Sequence, residues 1–198
     1  MSTIGKKHLP RLVTPRLVLR LANAEDAGHV ADYVRRNREH FVLAQPTRSR
    51  DYYTVMYWRT RIAANRQDFL NDKSCVFFVF NRRQKNEIVG HVQFSAVQRA
   101  SAQSCYLGYG VDRDKEGHGY MVEAIGRAIQ FAFKNMNLHR ICANYMPTNV
   151  RSGRLLERLG FVVEGYARRY LRINGQWEDH ILTTKINESW VEPPAETK

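Results

Sequence analysis

The sequence predicts a single α+β (mixed α/β) domain in which helices cover a central mixed, mostly antiparallel sheet. Three observations carry that expectation. Strand-period and helix-period segments alternate along the chain in the order β–α–α–β–β–β–α–β–α–β–β. Short polar turns join some strands as hairpins, while two helices join others as crossovers. A chain of 198 residues, 43% hydrophobic and 25% charged, suits one sizeable globular core. Residues 1–10 read as an N-terminal extension, 11–190 as the domain and 191–198 as a frayed tail.

The elements follow in order. RLVLRLA (16–22) alternates, with Leu17, Leu19 and Leu21 on one face and Arg16, Val18 and Arg20 on the other, as in a half-exposed strand. Asn23 is placed to cap a helix through AGHVADYVRRN. Residues 39–51, EHFVLAQPTRSRD, read as a loop in which Pro46 bars a long helix. The next helix has Val55, Trp58, Ile62 and Ala63 at its apolar spacing. From residue 75, CVFFVFN is a buried strand, NRRQKNE a polar turn, IVGHVQFSAV a strand, QRASAQ a turn and SCYLGYGV a third strand. A helix over 119–137 places Met121, Ile125, Ala128, Ile129, Ala132 and Met136 on one face. HRICANYM is a strand, and Asn149 opens the helix VRSGRLLERLG, which Gly160 stops. FVVEGYARRYLRI and WEDHILTTKI form a last strand pair around a tight turn at Asn174 and Gly175.

Composition excludes several classes. No apolar run approaches the roughly 18 residues of a membrane span, and MSTIGKKHLPRLVTP lacks the apolar core of an export signal. Three cysteines, Cys75, Cys105 and Cys142, are too few and too scattered for a disulfide framework or a zinc site, so no metal is expected. These features predict a reduced, cytoplasmic protein. Charge is the unusual total: 31 Lys plus Arg against 19 Asp plus Glu leave +12. That balance fits nucleic acid, an anionic cofactor or an acidic partner, and equally a solvated basic surface with no dedicated partner.

EGHGYM (116–121) stands directly before the long amphipathic helix. Gly117 and Gly119 can adopt positive φ and admit close approach, and the first N–H groups of a helix are unpaired and favoured by the dipole. Phosphate is the natural guest of such a turn, although glycine turns before helices are also common without one. The G-x-G-x-x-G pattern is absent because position 122 is Val, and no G-x-x-x-x-G-K-[ST] occurs.

Taken together, YLGYGV, EGHGYM with its helix, HRICANYMPTN and NVRSGRLLERLGF resemble the GNAT superfamily of N-acetyltransferases. CYLGY, HRICANYMP-N-RSG-LL-RLGF and INGQW-DH narrow the likeness to the RimJ-type ribosomal-protein-alanine group, over about residues 11 to 186. The family signature Gln/Arg-x-x-Gly-x-Gly/Ala falls on Glu116, Gly119 and Met121, so two of its three positions depart from the pattern. The resemblance implies a splayed strand pair, acetyl-CoA as cosubstrate, and direct attack by an amine within a ternary complex. Tyr109, Gly110 and Val111 would pair with the pantetheine arm and supply an oxyanion donor, and Glu116, Gly117, His118, Gly119, Tyr120 and Met121 would hold the diphosphate. The contacts expected there are backbone N–H groups, with Glu116 turned to solvent because a carboxylate repels phosphate.

Asn149 reads as a helix cap or, by the resemblance, as a cofactor ligand, with Ser152 near the thioester sulfur. Many relatives place a Tyr acid where this chain has Leu156, so Ser152 is the expected donor to the thiolate. Some N-terminal acetyltransferases carry a Glu base where this chain has Asn144, leaving Tyr106, Asp179 and His180 as candidates for the base. An α-amine (pKa about 7.7–8.0) needs little help from a base near neutral pH, whereas lysine (about 10.4) needs more. The resemblance therefore implies the N-terminal alanine of a small-subunit ribosomal protein as acceptor. DYYTVMYWRTR and EGYARRYLR could line its groove or touch rRNA in an assembling ribosome. Two alternatives are an acetyltransferase for a small amine such as an aminoglycoside or polyamine, and a non-catalytic ribosome-associated factor that keeps the fold.

Overall fold

The computed structural model describes residues 9–42 and 45–192. Most of the expected extension (1–8) and of the expected tail (193–198) lies outside the described residues. The strands are β1 (Arg11–Val13), β2 (Leu17–Arg20), β3 (Cys75–Asn81), β4 (Ile88–Gln98), β5 (Ser104–Val111), β6 (Arg140–Tyr145), β7 (Val162–Ile173) and β8 (Gln176–Ile186). The helices are α1 (Ala27–Arg36), α2 (Arg38–Val42), α3 (Val55–Leu70), α4 (Tyr120–Lys134) and α5 (Val150–Arg158). One sheet runs β1-β2-β3-β4-β5-β6-β8-β7, antiparallel throughout except between β5 and β6.

Period-2 alternation puts one set of side chains on each face, and both faces are covered. Leu17, Leu19, Phe77, Val79, Val92 and Phe94 pack with Ile125 and Ile129 of α4. Val76, Phe78 and Phe80 pack on the other side with Tyr33 of α1 and Trp58 and Ile62 of α3. The expected half-exposed strand is therefore covered on its second face as well: Val18 packs against the second core, and the Arg20 guanidinium lies 4.0 Å over Phe80 while binding Asp26. Cys75 and Cys105 are free and buried.

Several local expectations hold with their mechanisms visible. Asn23 and Asp26 form a capping box that opens the turn leading into α1. The whole apolar face expected for α4 is buried, although the helix stops at Lys134 rather than 137. After α5, Gly160 at φ +77 lets its N–H reach Glu157 O (2.9 Å) and the Phe161 N–H reach Leu156 O (3.0 Å), a Schellman stop. Asn174 and Gly175, at φ +44 and +83, make the two-residue hairpin turn.

Other expectations are corrected. α2 occupies part of the expected 39–51 loop. In α3 the buried stripe is Trp58, Ile62, Asn65 and Phe69, while Val55 and Ala63 face outward. The stripe that meets β3 follows the spacing i, i+4, i+7, i+11 from Trp58, so Ala63 falls off that face, and Val55, the first helical residue, is exposed. β1, three residues long, is too short for alternation to reveal. Among the described residues no helix is long and apolar enough to cross a membrane.

The feature that positions the site is a parting of strands. β5 pairs with β6 only from Ser104 to Tyr106, against Arg140 to Cys142. β5 then continues to Val111, still paired with β4, while β6 leaves to pair with β8. The β6 side of residues 107–111 is thus an open strand edge with backbone groups free to bind an extended chain.

Candidate active site

At the end of β5, Asp112 is buried and receives Arg36 Nε (2.6 Å) and Asn37 Nδ2 (3.1 Å). Burial pushes its carboxyl up, but the hydrogen bonds from Asn37 and Arg36 hold it below the usual aspartate value. From this anchor the chain makes one short turn (Arg113–Lys115) and enters the glycine loop. Gly117 (φ +75) and Gly119 (φ +73) occupy the left-handed region, which glycine tolerates best. Among the described residues, the N–H groups of 117 to 122 have no protein acceptor.

The loop is braced from β2. Arg16 donates through Nη1 to His118 O (2.9 Å) and through Nε to Glu123 Oε2 (2.6 Å), its backbone N–H meets Glu123 Oε1 (3.0 Å), and its guanidinium lies 4.5 Å from the Tyr120 ring. The His118 side chain folds back, with Nδ1 on Glu116 O (2.7 Å). A cleft of about 580 Å³ is lined by Gly117, Gly119 and Tyr120 and by Lys115, Arg151, Arg154 and Arg158, with Lys115 bound to Glu87 (2.7 Å). Glu116 is not turned freely to solvent as expected. Its carboxylate binds Arg151 and stands 3.5 Å from His40 Nε2, which offsets the repulsion it would exert on an anion.

From this cleft a second cavity, about 380 Å³, runs past Val111, Gly110 and Tyr109 to Asn149 and Ser152. Asn149 Oδ1 accepts from the Ser152 N–H (3.1 Å), so it does cap α5 while lining the cavity. The hydroxyls of Ser152 on α5 and Tyr109 on β5 are 2.6 Å apart. Burial pushes the Tyr109 phenol up to about 12, against the opposing pull of the Ser152 hydrogen bond. Leu156, where a phenol was missed in the sequence, lies in the core, and Tyr109 brings a phenol to Ser152 from the strand instead. The sequence reading used only the backbone of Tyr109; alternation along β5, which puts Leu107, Tyr109 and Val111 on the α4 face, was the available signal. Tyr145 packs on the first turn of α5, where a Cβ on Gly153 would lie 2.9 Å from its ring.

A third cavity, about 580 Å³, shares Tyr109, Asn149 and Ser152 but opens on the α1 and α3 face. Its floor is set by the register Val76–Gln93–Gly108 and, one row on, Phe78–His91–Gly110. A Cβ on Gly110 would collide with the His91 ring at 2.5 Å, whereas nothing lies within 4 Å of one on Gly108, so the floor is open there. The sequence reading missed His91. Burial, with the charge of Arg48, lowers its pKa to about 4, and its Nδ1 stands 3.0 Å from Tyr33 Oη.

The three candidates for the base separate. His180, 4% exposed, lines this cavity and donates Nδ1–H to Glu178 O (3.0 Å); its other nitrogen has no partner among the described residues. Asp179 lies outside the cavity and fixes β7 through Tyr166 Oη (2.5 Å) and Arg169 N (2.7 Å). Tyr106, 40% exposed, is on the same face of the sheet but does not line the cavity, and the hydrogen bond with its neighbour Tyr170 raises its pKa, which leaves the phenol protonated near neutral pH.

Comparison with known proteins agrees with this geometry. Residues 16–162 match the acetyltransferase (GNAT) domain family. The [ribosomal protein uS5]-alanine N-acetyltransferase of Escherichia coli K12 is 42% identical over 180 residues, covering 91% of this chain and 92% of that protein. The ribosomal-protein-S5-alanine acetyltransferase of Vibrio fischeri superposes with a TM-score of 0.88 at 37% identity, over 92% of this chain and all of that one. RimJ of Mycobacterium smegmatis, solved with CoA-disulfide, gives 0.82 at 25% identity, over 91% and 87%.

Proposed function

The chain belongs to the GNAT acetyltransferase family, and from that premise we propose that it moves the acetyl group of acetyl-CoA to the α-amine of an N-terminal alanine on a ribosomal protein. One observation supports this best. Three neighbouring cavities that share lining residues run from unpaired amides at a helix start, past an open strand edge, to a paired serine and tyrosine and to the α1 and α3 face. The coenzyme brings an activated thioester; everything else falls to the chain.

The N–H groups of 117–122 receive the diphosphate, with Arg154 and Arg158 supplying charge beside Lys115 and Arg151, which are paired with Glu87 and Glu116. The β6-side edge of 107–111 aligns the pantetheine arm, and a backbone N–H of that edge is the oxyanion donor. The acceptor amine enters over Gly108, where the floor is open, and attacks the carbonyl carbon. As the tetrahedral intermediate collapses, the Ser152 hydroxyl, hydrogen-bonded to Tyr109, donates to the leaving sulfur.

The amine needs little activation. Among the described residues no carboxylate lines the acceptor cavity, while Arg48 and Arg61 do, which disfavours the ammonium form. His180 is the lining group placed to accept the proton, in preference to Tyr106. The same lining is repulsive to polyamines and aminoglycosides. Docking on an assembling ribosome follows from the +12 charge and from exposed Arg168, Arg169 and Arg172 beside Tyr166 and Trp177 on the β7–β8 hairpin.

The deciding experiment is mass spectrometry of N-terminal peptides incubated with enzyme and acetyl-CoA. Acetylation on the α-amine of alanine-initiated peptides is expected. Modification confined to lysine side chains, or coenzyme binding with no turnover, would reject the assignment.

A further inference from the structure

The acceptor cavity is far larger than one alanine: at about 580 Å³ it falls in the range of sites that enclose drug-sized ligands, so several peptide residues would enter it. Its formal charges are Arg48 and Arg61, with no carboxylate among the described lining residues. Tyr52 lines the same cavity. Arg48 stands 4.9 Å over its ring, and the charges of both arginines act on its phenol. Arg61 has a long ion pair with Asp68 (3.9 Å), which a carboxylate in the cavity would compete with, and Arg48 has no ion-pair partner among the described residues. Asn65, 5% exposed, lines the same wall, and its Oδ1 has no hydrogen-bond donor among the described residues. A buried amide left without a partner carries a cost that a bound peptide group can remove if the side chain turns to meet it.

Resting on the alanine α-amine reading above, we propose that Arg48 and Arg61 select acceptors carrying a carboxylate side chain within the first few residues after the N-terminal alanine, with the Asn65 amide binding the peptide backbone between them. A guanidinium–carboxylate contact is charge-assisted and directional. It also explains how a protein of charge +12 captures the tail of a ribosomal protein, since a locally acidic segment escapes the general repulsion.

The test is a series of alanine-initiated peptides with Glu, Gln or Lys scanned through positions 2 to 5, read as kcat/KM at saturating acetyl-CoA. At one position Glu should exceed Gln by about tenfold, the equivalent of about 1.4 kcal/mol. That ratio should fall to about one in Arg48→Gln plus Arg61→Gln, and the double Glu variant should prefer Lys. Both side chains are exposed, so folding is expected to survive, and acetyl-CoA binding by calorimetry verifies it. Turnover of the whole series with no Glu preference at any position overturns this inference alone. No turnover on any alanine-initiated peptide overturns the reading beneath it as well.

Discussion

Gly119 carries the sharpest residue-scale consequence. At φ +73 a β-branched side chain is strained whatever the free space, and the nearest atom to an added Cβ is Arg16 Nη2 at 3.7 Å. Gly119→Val should weaken acetyl-CoA binding at least tenfold by calorimetry; unchanged affinity would remove the diphosphate from this loop. Ser152→Ala and Tyr109→Phe should each lower kcat by about 10- to 100-fold with little change in KM for acetyl-CoA. Because the two hydroxyls share one hydrogen bond, the double variant should cost much less than the product of the single losses. The pH–rate profile for an alanine-initiated peptide should show one ascending limb near the pKa of the amine itself. The positions of Gly119, Asn149 and Ser152 were legible because glycine punctuation and capping are local chemistry. The Tyr109–Ser152 contact was not, since it joins residues 43 apart in the chain.

Among the elements, the join between β5 and α4 depends on Asp112. Its Arg36 and Asn37 partners tie the end of β5 to the end of α1, so the glycine loop starts from a fixed point. Asp112→Asn should cost about 2 kcal/mol in denaturant unfolding, the order expected for hydrogen bonds to a buried charge. The folded carboxyl is held below its ordinary value, so its contribution is complete above the unfolded pKa near 3.9. It should vanish as pH falls from there through the lower folded value, and the two proteins should converge in acid. Element type was readable wherever the period was long, as in α4 or β3. The exposure of Val55 and Ala63 in α3 and the covering of β2 on both faces were not, because the period reports how many residues share a face and not what that face meets.

For the whole molecule, charge is the governing quantity. An excess of +12, with exposed arginines on the β7–β8 hairpin, is the basis of the proposed docking on ribosomal particles, which would run through phosphate contacts. Cosedimentation with small-subunit particles should fall steeply between 50 and 200 mM salt, and insensitivity to salt would contradict this mode of docking. The same global view separates the two ends of the site. Lys115, Arg151, Arg154 and Arg158 line the cleft beside the glycine loop, the first two paired with Glu87 and Glu116, and Arg48 and Arg61 line the cavity on the α1 and α3 face.

By itself, the sequence determined the mixed sheet, the glycine loop before α4, the capped α5 and the family to which these belong. Each is written in short-range periodicity, turn residues or motif order. Only the tertiary structure decided that Glu116 is neutralised by Arg151, that His180 lines the cavity on the α1 and α3 face while Asp179 does not, and that Tyr109 meets Ser152. Those outcomes depend on where β5 and β6 part and on which face each strand presents, and pairing between distant segments fixes both.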